Sequence, residues 1–123
     1  MATSYELGLK GEDLARSYLE KNGFEILETH WYHKRNEIDI IAKIDDYIVF
    51  VEVKTRSSEQ FDTPDDAINR VKQRVIISVA NEYIRQNEID LEARFDIIWI
   101  YFRGKTYSIK HIDHAFYPGV SRL

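Results

Sequence analysis

Two apolar segments separated by the acidic pair Asp45-Asp46 restrict the fold of this chain more than any other feature. The segments Asn36–Lys43 and Tyr47–Lys54 are rich in Ile and Val and alternate in polarity, as β-strands do. A two-residue turn at Asp45-Asp46 would place Asp39 opposite Glu52. The sequence therefore predicts an antiparallel hairpin whose register depends on that turn.

The two faces of this hairpin differ in polarity. One face is uniformly apolar and is expected to be core: Ile38, Ile40, Ala42, Ile44, Val49, Val51 and Val53. The other face is apolar near the turn and charged at its far end, where Glu37 lies opposite Lys54. Asp39 facing Glu52 is unfavourable, because like charges opposite each other destabilise a strand pair. Lys54 or a divalent cation such as Mg²⁺ or Mn²⁺ would offset the repulsion, and a surface ion-pair ladder without a ligand is the alternative.

The segment before the hairpin has the periodicity of an amphipathic helix. One arc of the helical wheel carries Leu7, Leu14, Ala15, Tyr18 and Leu19. Gly8 and Gly11 lie within that arc, and glycine there indicates close approach to another backbone. Glu12 lies at the edge of the apolar stripe, where a carboxylate would lean over the sheet. The helix is expected to end at Asn22-Gly23.

The remaining elements follow from the same kind of pattern. Strands are predicted at Phe24–Trp31, Arg94–Phe102 and Lys105–Ile112, with Arg103-Gly104 in the turn of the last pair. Ser57–Asp62 is predicted as a polar loop, and Thr63-Pro64 as the start of a helix to about Gln86. The apolar positions of that helix are Ile68, Val71, Val75, Val79 and Tyr83. The order αβββαββ indicates a single domain over residues 1–123, an α/β (α+β) sandwich with a mixed sheet flanked by helices.

Composition excludes several classes of protein. The chain of 123 residues has no cysteine, which excludes disulfide scaffolds, thiolate zinc sites and cysteine nucleophiles. Its apolar runs are too short to span a bilayer and its start does not resemble a signal peptide, so we expect a cytoplasmic protein with no membrane partner. The net charge of −4 argues mildly against a dedicated nucleic-acid binder.

The distribution of basic residues is more favourable to nucleic acid than their total. They precede, leave and follow the charged hairpin end in sequence, at Lys34, Arg35, Arg56, Arg70, Lys72 and Arg74. In a sandwich these side chains would rim one cleft and neutralise phosphates, or they form ordinary solvated surface. Trp31 and Tyr32 would stack on a base or pack in the core. His30 and His33 do not form a convincing metal pair, because residues three apart in a strand point to opposite faces.

The same segments carry a family resemblance. Gly8-x-x-Gly11-Glu12, Glu37-Ile38-Asp39-Ile40-Ile41-Ala42 and Val49-Phe50-Val51-Glu52-Val53-Lys54-x-Arg56 resemble the YraN-like family of uncharacterised small bacterial proteins. The resemblance continues through the second helix to Arg94-Phe95-Asp96. That family is similar to archaeal Holliday-junction resolvases and to the restriction-endonuclease-like nucleases with a PD-(D/E)xK motif.

The resemblance implies a restriction-endonuclease-like fold and a set of site residues. It makes Asp39 and Glu52 the acids of the motif, Lys54 its lysine, and Glu12 the acid contributed by the first helix. Asp39, Glu52 and Glu12 would then hold Mg²⁺ or Mn²⁺ for hydrolysis of DNA phosphodiesters. It also implies a homodimer. We consider three hypotheses: a metal-dependent nuclease acting on structured DNA, a non-catalytic nucleic-acid-binding protein, and an interaction protein whose acidic residues are structural.

Overall fold

The structure is a computed structural model and describes residues 3–57 and 69–118. Its elements, in chain order, are α1 Ser4–Lys21, β1 Glu25–His33, β2 Asn36–Ile44, β3 Tyr47–Ser57, α2 Arg70–Gln86, β4 Glu92–Arg103 and β5 Thr106–Phe116. This is the predicted order αβββαββ, and it is confirmed. No helix in the described part of the chain is long and apolar enough to cross a bilayer.

The five strands form one sheet in sequence order, β1-β2-β3-β4-β5. Short turns make β1–β2, β2–β3 and β4–β5 antiparallel, whereas β3 and β4 are parallel. Parallel neighbours need a crossover connection, and α2 lies in that connection. The predicted mixed sheet is therefore confirmed, with its central strand β3 carrying Glu52 and Lys54.

A helix covers each face of the sheet. The α1 face buries a cluster that includes Ala15, Leu19, Ile40, Val51 and Ile98. The α2 face buries a second cluster that includes Ile41, Phe50, Val79, Tyr83 and Trp99. Burial of these apolar side chains on both faces provides the main driving force for the sandwich.

The two glycines of α1 differ in their surroundings. Gly11 is buried, and a Cβ added there would collide with the Thr55 side chain of β3. Gly11 therefore approaches β3 closely, as predicted, but it meets a side chain and not the predicted backbone. This approach brings the next residue, Glu12, to the sheet. At Gly8 nothing lies within 4 Å of the Cβ position, so the prediction is wrong there. The helix ends where expected, with Gly23 in the left-handed region at φ 91°.

The described part of α2 begins at Arg70, with Asn69 as the N-cap that accepts a hydrogen bond from the Lys72 N–H. The helix start predicted at Thr63-Pro64, the loop beyond Ser57 and Ile68 fall outside the described residues. Val71, predicted to be on the apolar stripe, is 63% exposed. The part of the predicted stripe that contacts the core starts further along, with the half-buried Val75 and the buried Ile76.

The β2–β3 register matches the predicted two-residue turn from Ile44 opposite Tyr47 to Ile40 opposite Val51. The pairing ends at that rung, so Asp39 and Glu52 do not form the predicted cross-strand pair. The predicted apolar face also breaks there: Ile40 packs on the α1 side, whereas Ile38 packs on the α2 side. A left-handed residue in the neighbouring strand, His30 at φ 51°, accompanies this change of face.

Candidate active site

Asp39 lies at the point where β2 separates from β3. Its Oδ2 accepts a hydrogen bond of 2.8 Å from the Val53 N–H, replacing a backbone partner across the gap between the strands. Burial is the largest cause of a pKa raised to about 8, and the charge of Glu52 is the next. The charges of Glu12 and Glu37 act in the same direction, while the Val53 N–H opposes them. Asp39 is therefore the centre of a group of acids contributed by different elements.

Glu12 reaches this group from α1. Its side chain is partly buried because Gly11 brings the helix close to β3. Burial is the largest cause of its raised pKa. The charge of His30 lowers the pKa, and the charges of Glu37 and Glu52 raise it further. The helix acid is thus within electrostatic reach of the β3 acid, as the resemblance implied.

Glu52 and Lys54 lie two residues apart on β3 and form an ion pair. The distance from Lys54 Nζ to Glu52 Oε2 is 3.6 Å, and both side chains are mostly buried. Lys54 therefore supplies the positive charge that the sequence predicted for this end of the hairpin. Glu37, which the predicted register places opposite Lys54, pairs with His30.

His30 is the site residue that sequence reasoning missed. Its Nδ1 lies 2.7 Å from Glu37 Oε2 and its Nε2 lies 3.1 Å from Glu12 Oε1, so the imidazole bridges two carboxylates. The hydrogen bond to Glu37 is the main cause of its raised pKa. The β1–β2 turn pairs His33 with Asn36, so His30, three residues back along β1, lies level with Asp39. Counting from that turn would have identified His30 as a neighbour of the acids. Strand alternation does not indicate it, because φ is 51°.

The neighbouring aromatic pair is divided between core and surface. Trp31 packs in the α2-side cluster, with its ring edge-on to Tyr83 at 5.1 Å. Tyr32 is 62% exposed, and the nearby Glu37 raises the pKa of its hydroxyl. The prediction of core packing is therefore correct for Trp31, whereas Tyr32 lies at the surface.

The donor chemistry of the site fits a hard divalent cation, because carboxylate oxygens are the ligands that Mg²⁺ and Mn²⁺ prefer. Each carboxylate already has a partner in the protein: His30 for Glu12, the Val53 N–H for Asp39, and Lys54 for Glu52. Within residues 3–57 and 69–118, no three His, Asp or Glu side chains are grouped so as to hold a metal ion. The residues thus fit such an ion in chemical kind, while their oxygens are directed to partners within the protein.

The basic residues are divided among three places. Lys34 and Arg35 are exposed in the β1–β2 turn, next to the strand ends that carry the acids. Arg56 follows Lys54 along β3, and its guanidinium lies 5.1 Å from the centre of the Trp99 ring.

The basic residues of α2 lie elsewhere. Arg70, Lys72 and Arg74 are exposed on its first turns. Arg70 and Arg74 line a groove of about 290 Å³ with the end of β5, including Phe116 and Tyr117. That groove shares no lining residue with the acidic group.

A buried ionic network stabilises the other half of the sheet. Asp96, which is 1% exposed, accepts hydrogen bonds from Arg94 at 2.9 and 2.7 Å, and its Oδ2 lies 2.7 Å from His111 Nε2. Burial alone would raise the pKa of Asp96, but the hydrogen bonds from His111 and Arg94 lower it below its usual range. His111 Nδ1 lies 3.0 Å from the Tyr18 hydroxyl, which connects the network to α1. These contacts give the Arg94-Phe95-Asp96 segment a structural role.

Comparison with known proteins identifies the family. A family model described as uncharacterised protein family UPF0102 matches residues 11–100. That range includes Lys54 and the four acids of the site, Glu12, Glu37, Asp39 and Glu52. A UPF0102 protein of Flavobacterium psychrophilum is 46% identical over 117 residues, covering 95% of this chain and 98% of the relative. Relatives from Parabacteroides distasonis (42% over 117 residues; 95% and 97% covered) and Geobacter metallireducens (45% over 111 residues; 89% and 91% covered) carry the same description. The chain therefore belongs to the UPF0102 family, the YraN-like family that its motifs resemble.

Proposed function

We propose that this protein is a metal-dependent nuclease that hydrolyses phosphodiester bonds of DNA. The observation that carries the proposal is the convergence of Glu12 from α1, Asp39 from β2 and Glu52 from β3, with Lys54 beside them. Clustered acids with a raised pKa are typical of sites built for chemistry, since such an arrangement does not favour folding. The family description supports no activity by itself.

The residues take distinct roles in this proposal. Asp39, Glu52 and Glu12 would hold Mg²⁺ or Mn²⁺, which when bound neutralises phosphate charge and lowers the pKa of water. Lys54 orients the attacking water or stabilises the negative charge that develops on the phosphate. His30 holds the Glu12 carboxylate in position through its Nε2 while its Nδ1 is held by Glu37.

Thermal melting with and without divalent ions, followed by a cleavage assay, tests the proposal. Millimolar Mg²⁺ or Mn²⁺ should raise the melting temperature of the wild type, because a ligand that binds the folded state stabilises it. Glu52→Gln should abolish the rise and the cleavage of a panel of forked, junction, flap and linear DNAs. Glu92→Gln, an exposed acid at the start of β4, is the matched control and should retain both. No metal-dependent shift and no cleavage in the wild type would refute the proposal.

A non-catalytic nucleic-acid-binding protein is the second candidate. The observation that favours it is that each acid of the site already has a partner within the described protein, so the group can be stable without a metal. Binding would then depend on exposed cations such as Lys34 and Arg35. Under this alternative, DNA affinity falls steeply with salt and survives Glu52→Gln, with no cleavage of any DNA.

A further inference from the structure

An open groove adjoins the candidate active site on the α1 side. Its volume is about 450 Å³, within the usual range of roughly 300–1,000 Å³ for ligand sites. One wall is a single face of α1, and the other is formed by the ends of β1 and β2. The lining residues are Ser4, Tyr5, Gly8, Leu9, Glu12, His30, Tyr32 and Glu37. Glu12 and the His30 bridge belong to both the groove and the acidic group, so the two are continuous.

The groove exposes aromatic and apolar surface that folding does not bury. Tyr5 is 74% exposed, Tyr32 is 62% exposed and Leu9 is 43% exposed. A cluster of this kind beside a polar site marks a place where a ligand contributes the missing apolar contacts. Glu37 lies close enough to Tyr32 to raise the pKa of its hydroxyl, and most of the Tyr32 side chain stays open to solvent, where a base can stack on it.

The charge of the lining decides which part of a nucleic acid would enter. Glu12 and Glu37 line the groove, and His30 between them is its one basic group among the described residues. No Lys or Arg is among the lining residues in that part of the chain. A phosphate would be repelled by this lining, whereas a nucleobase is neutral and has π-faces that stack on tyrosine.

We propose that this groove binds an unpaired nucleobase of the strand whose phosphate lies at the acidic group, with the base stacked on Tyr32 and bordered by Tyr5 and Leu9. The inference rests on the proposed nuclease function and specifies its substrate class. A base within a duplex is stacked on its neighbours and does not reach such a groove, so the preferred DNA carries unpaired nucleotides next to the scissile bond.

Two pairs of variants test the groove. Tyr32→Leu removes the aromatic face, whereas Tyr32→Phe keeps the face and removes only the hydroxyl. Gly8→Leu places a side chain in the open space over Gly8, whereas Gly8→Ala makes the same change to the helix backbone and leaves most of that space free. Neither Gly8 variant alters a proposed metal ligand, and both should fold, because any residue but proline has a better helix propensity than glycine.

The readout is binding of oligonucleotides that contain 2-aminopurine, with Ca²⁺ in place of Mg²⁺ to prevent turnover. We expect quenching of an unpaired 2-aminopurine and affinity for unpaired DNA about 5- to 150-fold higher than for the matched duplex. Tyr32→Leu and Gly8→Leu should lose the quenching and the preference, while Tyr32→Phe and Gly8→Ala should retain them. Equal affinity for paired and unpaired DNA, or quenching that survives both disruptive variants, would overturn the groove proposal.

The outcomes separate this inference from the function on which it rests. Metal-dependent cleavage that is lost in Glu52→Gln but unaffected by Tyr32→Leu and Gly8→Leu would overturn the groove and support the nuclease. Quenching that depends on Tyr32, with no cleavage under Mg²⁺ or Mn²⁺, would overturn the nuclease and support the groove as a base-binding site.

Discussion

Replacing Asp39 with asparagine should stabilise the protein at neutral and higher pH. The amide has the shape of the carboxyl group and can still accept the hydrogen bond from the Val53 N–H. The substitution removes the carboxyl group whose pKa is raised to about 8 by burial and by the charge of Glu52. Between roughly pH 4 and pH 8, the folded wild type retains a proton that the unfolded chain has released. Protonation of Asp39 therefore contributes stability that is fully present at low pH and is lost as the pH rises towards 8.

The magnitude follows from the shift in pKa. Each pH unit in this window changes the free energy of unfolding by about 1.4 kcal/mol when one proton separates the two states. Between pH 5 and pH 8, the advantage of Asp39→Asn over the wild type should grow by on the order of 4 kcal/mol. Urea unfolding in metal-free buffer at intervals of one pH unit measures this difference.

The matched control is Asp90→Asn, which removes one carboxylate from an exposed position between α2 and β4 and so reports the effect of net charge alone. A constant difference between Asp39→Asn and the wild type across pH 5 to 8 would refute the reasoning. A variant less stable than the wild type at pH 8 would also refute it, because the ionised Asp39 would then be compensated, for example by Lys54.

Three further predictions concern other parts of the molecule. Gly11→Ala should destabilise the protein by about 1–3 kcal/mol in urea unfolding, because the added methyl group meets Thr55; an unchanged midpoint would mean that α1 shifts freely on the sheet. Asp96→Ala should lower the free energy of unfolding by about 3–5 kcal/mol, since it leaves Arg94 buried without its carboxylate, and a calorimetric change below 1 kcal/mol would contradict this. Lys34→Ala should weaken binding of every DNA and reduce the slope of log affinity against log salt by about 1; an unaltered slope would exclude a phosphate contact there.

Local pattern was sufficient for the elements and their order. The helix ending at Asn22-Gly23 and the tight turn at Asp45-Asp46 are signals carried by neighbouring residues, and the structure has both. The motif residues were also predictable in kind, since the resemblance selected Glu12, Asp39, Glu52 and Lys54, and the structure brings them together. Their roles in catalysis stay predictions.

The errors come from places where contacts between distant segments override alternation. Strict alternation keeps Ile38 on the same face as Ile40. The pairing of β2 with β3 stops at Ile40, however, and the preceding residue, Asp39, accepts a hydrogen bond from the Val53 N–H across the gap. His30, which lies beside that gap, has a left-handed conformation, and its side chain meets two carboxylates. Periodicity is a property of each strand alone and reflects neither effect.

The sequence by itself determined the secondary structure, the central hairpin and the residue types of the acidic group, because these depend on periodicity, turn chemistry and composition over a few neighbouring residues. Only the tertiary structure decided which side chains meet. The packing of Gly11 against Thr55 brings Glu12 to the sheet, His30 bridges Glu12 and Glu37, and Tyr32 is left exposed while Trp31 is buried. These outcomes depend on where β2 separates from β3 and on how closely α1 packs on the sheet. Both are contacts between segments distant in sequence, which no local pattern encodes.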